Sequence, residues 1–391
     1  MTAIHVQLNR LQRSGLVVGV VALALCGLGA AWNAHQFFIS YLFGYTFWLG
    51  LTLGCLGIAL IHHLTGGRWG FLVRRFLEAG FMTLPLMAIL LVPVFLGLRE
   101  LYPWARPELV AASEVLQRKQ AYLNVPSFVF RAFFFFTVWI VIASCLRKWS
   151  LEQDATSAAT PTLKLRTLSG PGIVIYPLTG TFAFVDWIMS IEPAWHSTIF
   201  LVIILIGQIL TAFAFVTVLL AWFRRQLPFR DAVAITDFHD LGNLLLTFVM
   251  FWTYVAFSQW LVIYSGNLPR EIDWYLHRIA GNGKWIVGLL ALFHFFVPFF
   301  LLLFRAVKRN VTSLAAIAAL IFCAHIVEIF WIIVPAFHRN GLSVHWLDFA
   351  AFVGVGGIWT ALFARGLNAK ALLPQNDPRI EYSIAALANA K

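Results

Sequence analysis

Apolar runs of roughly twenty residues recur along this chain, and each is long enough to cross the hydrocarbon of a bilayer as a helix. Ten are expected: Leu16–Trp32, Phe37–His62, Phe76–Leu98, Phe128–Leu146, Gly172–Ser190, Ile199–Phe223, Leu241–Ile263, Trp285–Phe304, Ser313–Val334 and Trp346–Leu367. Hydrocarbon holds no water to pair with backbone N–H and C=O groups, so each run must satisfy its own, and a helix does this within one segment. The fold class that follows is an all-α polytopic membrane protein of ten transmembrane helices, with residues 1–391 as one integral membrane domain. Composition agrees, at 61% hydrophobic, 12% charged and a mean hydropathy of +0.82. The longest connections, Arg99–Ser127 and Arg147–Pro171, leave room for a short interfacial helix each and for no soluble domain.

A net charge of +11 would suit nucleic acid, but its distribution follows membrane topology instead. With a cytoplasmic N-terminus, the inner segments hold Arg10 and Arg13; Arg68, Arg74 and Arg75; Arg147, Lys148, Lys164 and Arg166; Arg224, Arg225 and Arg230; Arg305, Lys308 and Arg309; and Arg365, Lys370, Arg379 and Lys391. That is nineteen of the 28 basic residues, against eight in the outer segments, with Arg131 near a helix start. The asymmetry is the positive-inside rule with both termini cytoplasmic, and it leaves no nucleic-acid patch. Leu16–Trp32 follows Arg10 and Arg13 like a signal peptide ending at Ala30-Ala31, yet an uncleaved first span keeps the whole alternation consistent. The four cysteines, Cys26, Cys55, Cys145 and Cys323, fall inside spans without regular spacing, which suits neither an Fe–S site nor a disulfide framework.

Ionisable residues inside the runs carry the chemistry. The ninth span reads Cys323-Ala-His325-Ile-Val-Glu328, and residues three apart share a helix face. About 18 Å of helix separates Ser313 from His325, which sets the pair beyond the membrane midplane. Such groups are expensive in hydrocarbon and mark a proton, ion or ligand path, although a buried pair that only locks helix packing also fits. Asp186 lies within the fifth span near its outer end. The eighth span carries His294 four residues before Pro298, whose missing N–H frees the His294 carbonyl, and a plain structural kink fits as well. Tyr254 falls near the middle of the seventh span, and His345 and Asp348 open the tenth at the outer face. At the inner face stand His62, His63, Glu78, Asp237, His239 and Asp240, of which one acid suits an N-cap. Sorted by depth, these residues are candidates for a proton path or a quinone contact, with the inner six as its mouth.

Several chemistries drop out. A membrane b-type cytochrome needs facing histidine pairs deep in two helices, whereas His294 and His325 are single. His-x-x-Glu resembles half of a di-iron site, but the second Glu-x-x-His is missing, so no metal is expected. Glycine patterns for nucleotides do not follow any strand.

The motifs His62-His63-Leu-Thr-Gly-Gly-Arg68-Trp69-Gly with Arg74-Arg75 and Glu78, Asp186-Trp-Ile-Met-Ser-Ile-Glu192-Pro, Asp240-Leu-Gly-Asn-Leu-Leu, Ser258-Gln-Trp, Tyr264-Ser-Gly-Asn-Leu-Pro, and Pro335-Ala-Phe-His338 with His345-Trp-Leu-Asp348 run in order from the second span to the tenth. In this order the chain resembles the NrfD/polysulfide-reductase-C family of quinone-interacting membrane subunits, and within it the ActF type of bacterial alternative complex III. The resemblance implies two four-helix bundles, spans two to five and six to nine, with spans one and ten peripheral. It implies a subunit without a redox centre in a quinol:cytochrome c (or other electron acceptor) oxidoreductase of the bacterial cytoplasmic membrane. The partners implied are a multihaem cytochrome c, an Fe–S/molybdopterin-like subunit and a sister ten-helix subunit, with quinol reaching the complex as its substrate. Proton conduction is the role it implies for a chain of this type. A stand-alone proton-coupled transporter and a purely structural scaffold are the alternatives; a transporter usually shows an inverted repeat, and no matching halves are evident.

Charge asymmetry predicts that a cysteine placed between Arg147 and Pro171 reacts with an impermeant maleimide only from the cytoplasmic side. Labelling from the opposite side overturns the orientation.

Overall fold

The computed structural model describes residues 3–156, 158–338, 343–369 and 371–377. Lys370, Arg379, Lys391 and Arg339, which enter the charge count above, lie outside the described residues. Among the described residues there is no strand, and ten helices are long and apolar enough to cross a membrane. In chain order these spans are Ile4–Trp32, Ala34–Thr65, Arg68–Leu96, Val125–Ala155, Thr160–Ile191, Thr198–Phe223, Ile235–Gly266, Gly283–Leu303, Val311–Ala336 and Trp346–Asn368. They overlay the ten apolar runs and extend most of them, because a helix continues past the hydrocarbon wherever its polar residues still favour it. Among the described residues, Arg147–Pro171 contains no separate interfacial helix, within the upper bound the sequence set. The fourth span runs on to Ala155 and the fifth starts at Thr160, so most of that connection is helix projecting from the bundle.

Local chemistry sets the breaks. The Asn33 side chain accepts from the Gln36 N–H at 3.0 Å and starts the second span. That span ends at Gly66 (φ 74°) and Gly67 (φ 100°), left-handed positions that only glycine adopts without strain, and the chain turns at once into the third span. The third span is three short helices, Arg68–Phe81, Leu84–Ile89 and Val92–Leu96, the second and third of which carry proline in their first turn. Proline lacks the N–H that would continue the preceding helix. The connection after it holds short helices at Pro107–Ala112 and Glu114–Lys119, and an amphipathic helix, Pro269–Ile279, joins spans seven and eight.

The second span is the axis of the molecule: 89% of its central stretch is buried, against 78% for the sixth and 22% for the first and eighth. It packs against the third and fifth spans, the fifth against the fourth, and the fourth against the third. The sixth likewise packs against the seventh and ninth, and the eighth touches both of these. The second and sixth spans meet between the two groups.

Spans one and ten form a close pair. A Cβ added to Gly19 would fall 2.6 Å from the Ile358 nitrogen, and one on Gly357 would fall 2.6 Å from the Gly19 Cα. Only glycine permits so near an approach, which brings the backbones into dispersion contact. His5 Nδ1 meets Asn368 Oδ1 at 2.5 Å, and the Asn368 amide donates to Asn9 Oδ1 at 2.7 Å. The start of the first span and the end of the tenth therefore lie on the same face. Gln226, just beyond the sixth span, reaches Gln7 there at 3.0 Å.

A Gly19→Leu substitution should lower the thermal unfolding midpoint in detergent, with a loss of about 1–3 kcal/mol from overpacking. An unchanged midpoint would show that this glycine contact does not hold the first span.

Candidate functional site

Four spans meet around Glu328. The ninth brings His325 and Glu328 one turn apart, and both are buried. The eighth brings His294, which is fully buried. Its local backbone is a π-helix, Ala291–Phe296, directly ahead of Pro298. The wider turn accommodates the proline and rotates His294 into the bundle; such single wide turns are common at functional positions. From the seventh span comes Trp252, and from the sixth Gly207. A Cβ at Gly207 would lie 2.7 Å from His325 Cε1, so the missing side chain makes room for the imidazole.

The carboxylate is fully engaged. His325 Nδ1–H donates to Glu328 Oε2 at 2.8 Å, and Trp252 Nε1–H donates to Oε1 at 2.8 Å. His294 Nδ1 stands 3.4 Å from the same Oε2 without hydrogen-bond geometry, and neither ring nitrogen of His294 has a hydrogen-bond partner. Its ring packs at a tilt of 43° against Trp252, with centroids 4.2 Å apart. Imidazole nitrogens and a carboxylate oxygen from the three residues all lie within 4.8 Å of one another. His325 is fourteen residues, about 21 Å of helix, from the start of its span, so the trio sits near mid-depth.

A cavity of about 420 Å³ opens beside the trio, with Glu328 and Trp252 at one end and Gln259 and Tyr275 at the other. Its walls are rich in aromatic residues, including Trp260, Trp274 and Trp331, and Phe257, Trp260 and Phe296 among them are also exposed. The Gln259 amide donates to the Tyr275 hydroxyl at 3.0 Å. The amphipathic helix roofs the cavity. Arg278, stacked on Trp274 at 3.7 Å, clamps it by donating to Glu192 Oε2 at 2.6 Å and to the Ile332 carbonyl at 2.7 Å. An apolar aromatic slot with a few convergent polar groups is the usual form of a small-molecule site.

The remaining expected residues stand elsewhere. Asp186 is not with the trio; Arg131 holds it bidentately, Nε to Oδ2 at 2.7 Å and Nη2 to Oδ1 at 2.9 Å. Tyr254 is 70% exposed and faces away from the bundle interior. Asp348 accepts from Ser40 at 2.5 Å and, through its other oxygen, from the His345 backbone N–H at 2.8 Å. His345 is the N-cap of the tenth span, its Nδ1 accepting from the Leu347 N–H at 3.2 Å.

On the face that carries the N-terminus, Glu78 is buried among Arg74, Arg75, Arg147 and Ser150. Asp237 accepts from Arg68 at 2.7 Å and from the Ala234 N–H at 2.7 Å, so it is the capping acid of that group. His239 lies 3.8 Å from the exposed Asp240. His62 and His63 are buried side by side, and His62 rests on Gly70 and the edge of Trp69.

These partners separate two kinds of acid. Arg131 and the arginines around Glu78 are partners whose own charge does not change near neutral pH. Glu328 faces two imidazoles, the only side chains whose ordinary titration spans neutral pH. Proton exchange is therefore chemically open to the buried trio, whereas the other histidine–carboxylate contact of these clusters, His239 with Asp240, is 3.8 Å apart and partly exposed.

Sequence reasoning passed over Arg131, Trp252, Gln208 and Tyr176. The signals for Arg131 and Gln208 were present, since each is a polar residue inside an apolar run. Gln208 adjoins Gly207 and accepts from the Tyr176 hydroxyl at 3.3 Å; Tyr176 in turn lies against Gly57, on the helix that leads to His62 and His63. Trp252 had no signal, because an aromatic residue in a membrane helix is unremarkable until its N–H finds a carboxylate.

Compared with models of protein families and with curated proteins, the sequence gives no match to either.

Removing the Asp186 carboxylate leaves Arg131 partly buried without its acceptor, so Asp186→Asn should destabilise by about 1–3 kcal/mol. The double change Asp186→Leu with Arg131→Met should recover much of the unfolding midpoint. A single variant as stable as the parent would return Asp186 to the list of proton-path candidates.

Proposed function

We propose that this chain is an integral subunit of a quinol-oxidising respiratory complex of the alternative complex III type in the bacterial cytoplasmic membrane, and that its own contribution is proton conduction. In this reading both termini are cytoplasmic, and the partners are a multihaem cytochrome c, an Fe–S/molybdopterin-like subunit and a sister ten-helix subunit. The motif order from the second span to the tenth supports the family. The helix neighbours, spans two to five in one ring and six to nine in another, support its two-bundle arrangement.

The observation that carries the role is the buried His294–Glu328–His325 cluster at mid-depth, 2.8 Å and 3.4 Å across its two contacts to Glu328 Oε2. Two imidazoles about a single carboxylate oxygen let a proton pass between them by small rotations, each hop within reach of a neighbour. Gln208 and Tyr176 lead from this cluster toward His62 and His63, the inner mouth. The aromatic cavity ending at Glu328 gives a quinone ring access from the bilayer, and this supports a quinone contact as the second role of the same carboxylate.

Glu328→Gln keeps the shape and removes the titratable group. In the reconstituted complex it should lower protons translocated per electron while quinol oxidation continues. An unchanged ratio makes the cluster structural. Loss of quinol oxidation with assembly intact assigns Glu328 to the quinone pocket instead. A chain that purifies without haem c or Fe–S partners overturns the complex and favours a transporter.

A further inference from the structure

We infer that His294, His325 and Glu328 form a site for one divalent transition-metal cation, with zinc as the cation whose ligand preferences match it. Two imidazoles and one carboxylate are a ligand set that zinc takes with a fourth position left open. Ligand atoms about one tetrahedral zinc, at bonds of about 2.0–2.1 Å, lie about 3.4 Å apart. Of the two contacts to Glu328 Oε2, the 3.4 Å one matches that spacing and the 2.8 Å one is shorter, and all three donors fall within 4.8 Å of one another.

Three further features fit a cation better than a closed hydrogen-bond network. His294 is fully buried with no hydrogen-bond partner on either ring nitrogen, and a buried donor or acceptor left so is uncommon. Its position depends on a π-turn that aims it at the carboxylate. Trp252 Nε1–H holds the second carboxylate oxygen at 2.8 Å, the kind of outer hydrogen bond that orients a metal-binding carboxylate. Glu328 also lines the aromatic cavity, together with Trp252, which supplies an entry path and space for a water or anion beside the carboxylate. The motif in the ninth span offered only two ligands, and the third comes from a different helix.

The cation would be a reversible ligand and not a resident cofactor. For His325 Nδ1 to bind it, the proton now donated to Glu328 must move to Nε2 or leave, and both imidazoles must be neutral. Metal and proton therefore compete for the same nitrogens, and zinc affinity should fall as pH falls, by up to about tenfold per pH unit for each proton displaced. The inference stands whether or not the cluster conducts protons.

The full chain in lipid nanodiscs, stripped with chelator, is titrated with zinc by calorimetry, and the bound metal is examined by X-ray absorption. Other equivalents are expected at exposed histidines, so the reading is a difference. His294→Ala should lose one equivalent, and the spectrum of that equivalent should show two imidazoles, oxygen and no sulfur. Trp252→Phe removes only the orienting N–H and should weaken this equivalent about tenfold. If His294→Ala does not fold, His325→Gln and Glu328→Gln test the same equivalent. Equal stoichiometry in the parent and in folded variants of all three residues overturns the site. A lost equivalent together with an unchanged proton ratio in Glu328→Gln keeps the metal site and removes the proton reading; the reverse pattern does the opposite.

Discussion

Inside hydrocarbon no water stands by to pair with a polar group, so every backbone amide and every charge must find its partner within the protein. The first demand makes the chain helical from Ile4 to Asn368, apart from the short connections between spans. The second decides which helices touch. Glu78 sits under three arginines from spans three and four, and Arg131 reaches from the fourth span to Asp186 in the fifth. Glu328 ties the ninth span to the seventh through Trp252 and faces the eighth through His294. Ion pairs thus join the helices of the first group, whereas a titratable cluster joins those of the second.

That difference has a chemical consequence. A carboxylate against arginine has a partner whose charge does not change over the physiological range, and such pairs specify geometry. A carboxylate against two histidines has partners that can change charge near neutrality. At one mid-depth position the fold brings together three buried imidazole and carboxylate groups whose ligand atoms lie within 4.8 Å of one another. Small local devices assemble that position: a glycine that admits the His325 ring, a π-turn before Pro298 that swings His294 inward, and an indole that holds the free carboxylate oxygen. Each is ordinary alone, and only their convergence makes a site.

The cavity beside Glu328 extends the same logic to the lipid side. Its walls include residues of spans seven and eight, which are among the least buried in the molecule, and Phe257, Trp260 and Phe296 there are exposed. Its roof is the helix Pro269–Ile279, pinned by one fully buried arginine that stacks on Trp274 and bonds to Glu192 and the Ile332 carbonyl. Arginine suits this place because its planar fork serves several acceptors at once while its face lies on an indole.

By itself the sequence determined the number of spans, their approximate limits and the identity of the costly residues, because hydropathy and the penalty on charge are local properties that no tertiary contact alters. His325 and Glu328 were legible as a pair since helix geometry alone puts residues three apart on one face. Tertiary structure decided everything that depends on which helix lies beside which. It set Asp186 against Arg131 and away from the trio, turned Tyr254 outward, made His345 and Asp348 a helix cap, and brought His294 to Glu328. Periodicity shows which way a side chain faces around its own axis, but the partner across the interface is fixed by packing between segments far apart in the chain, and a single helix carries no record of it.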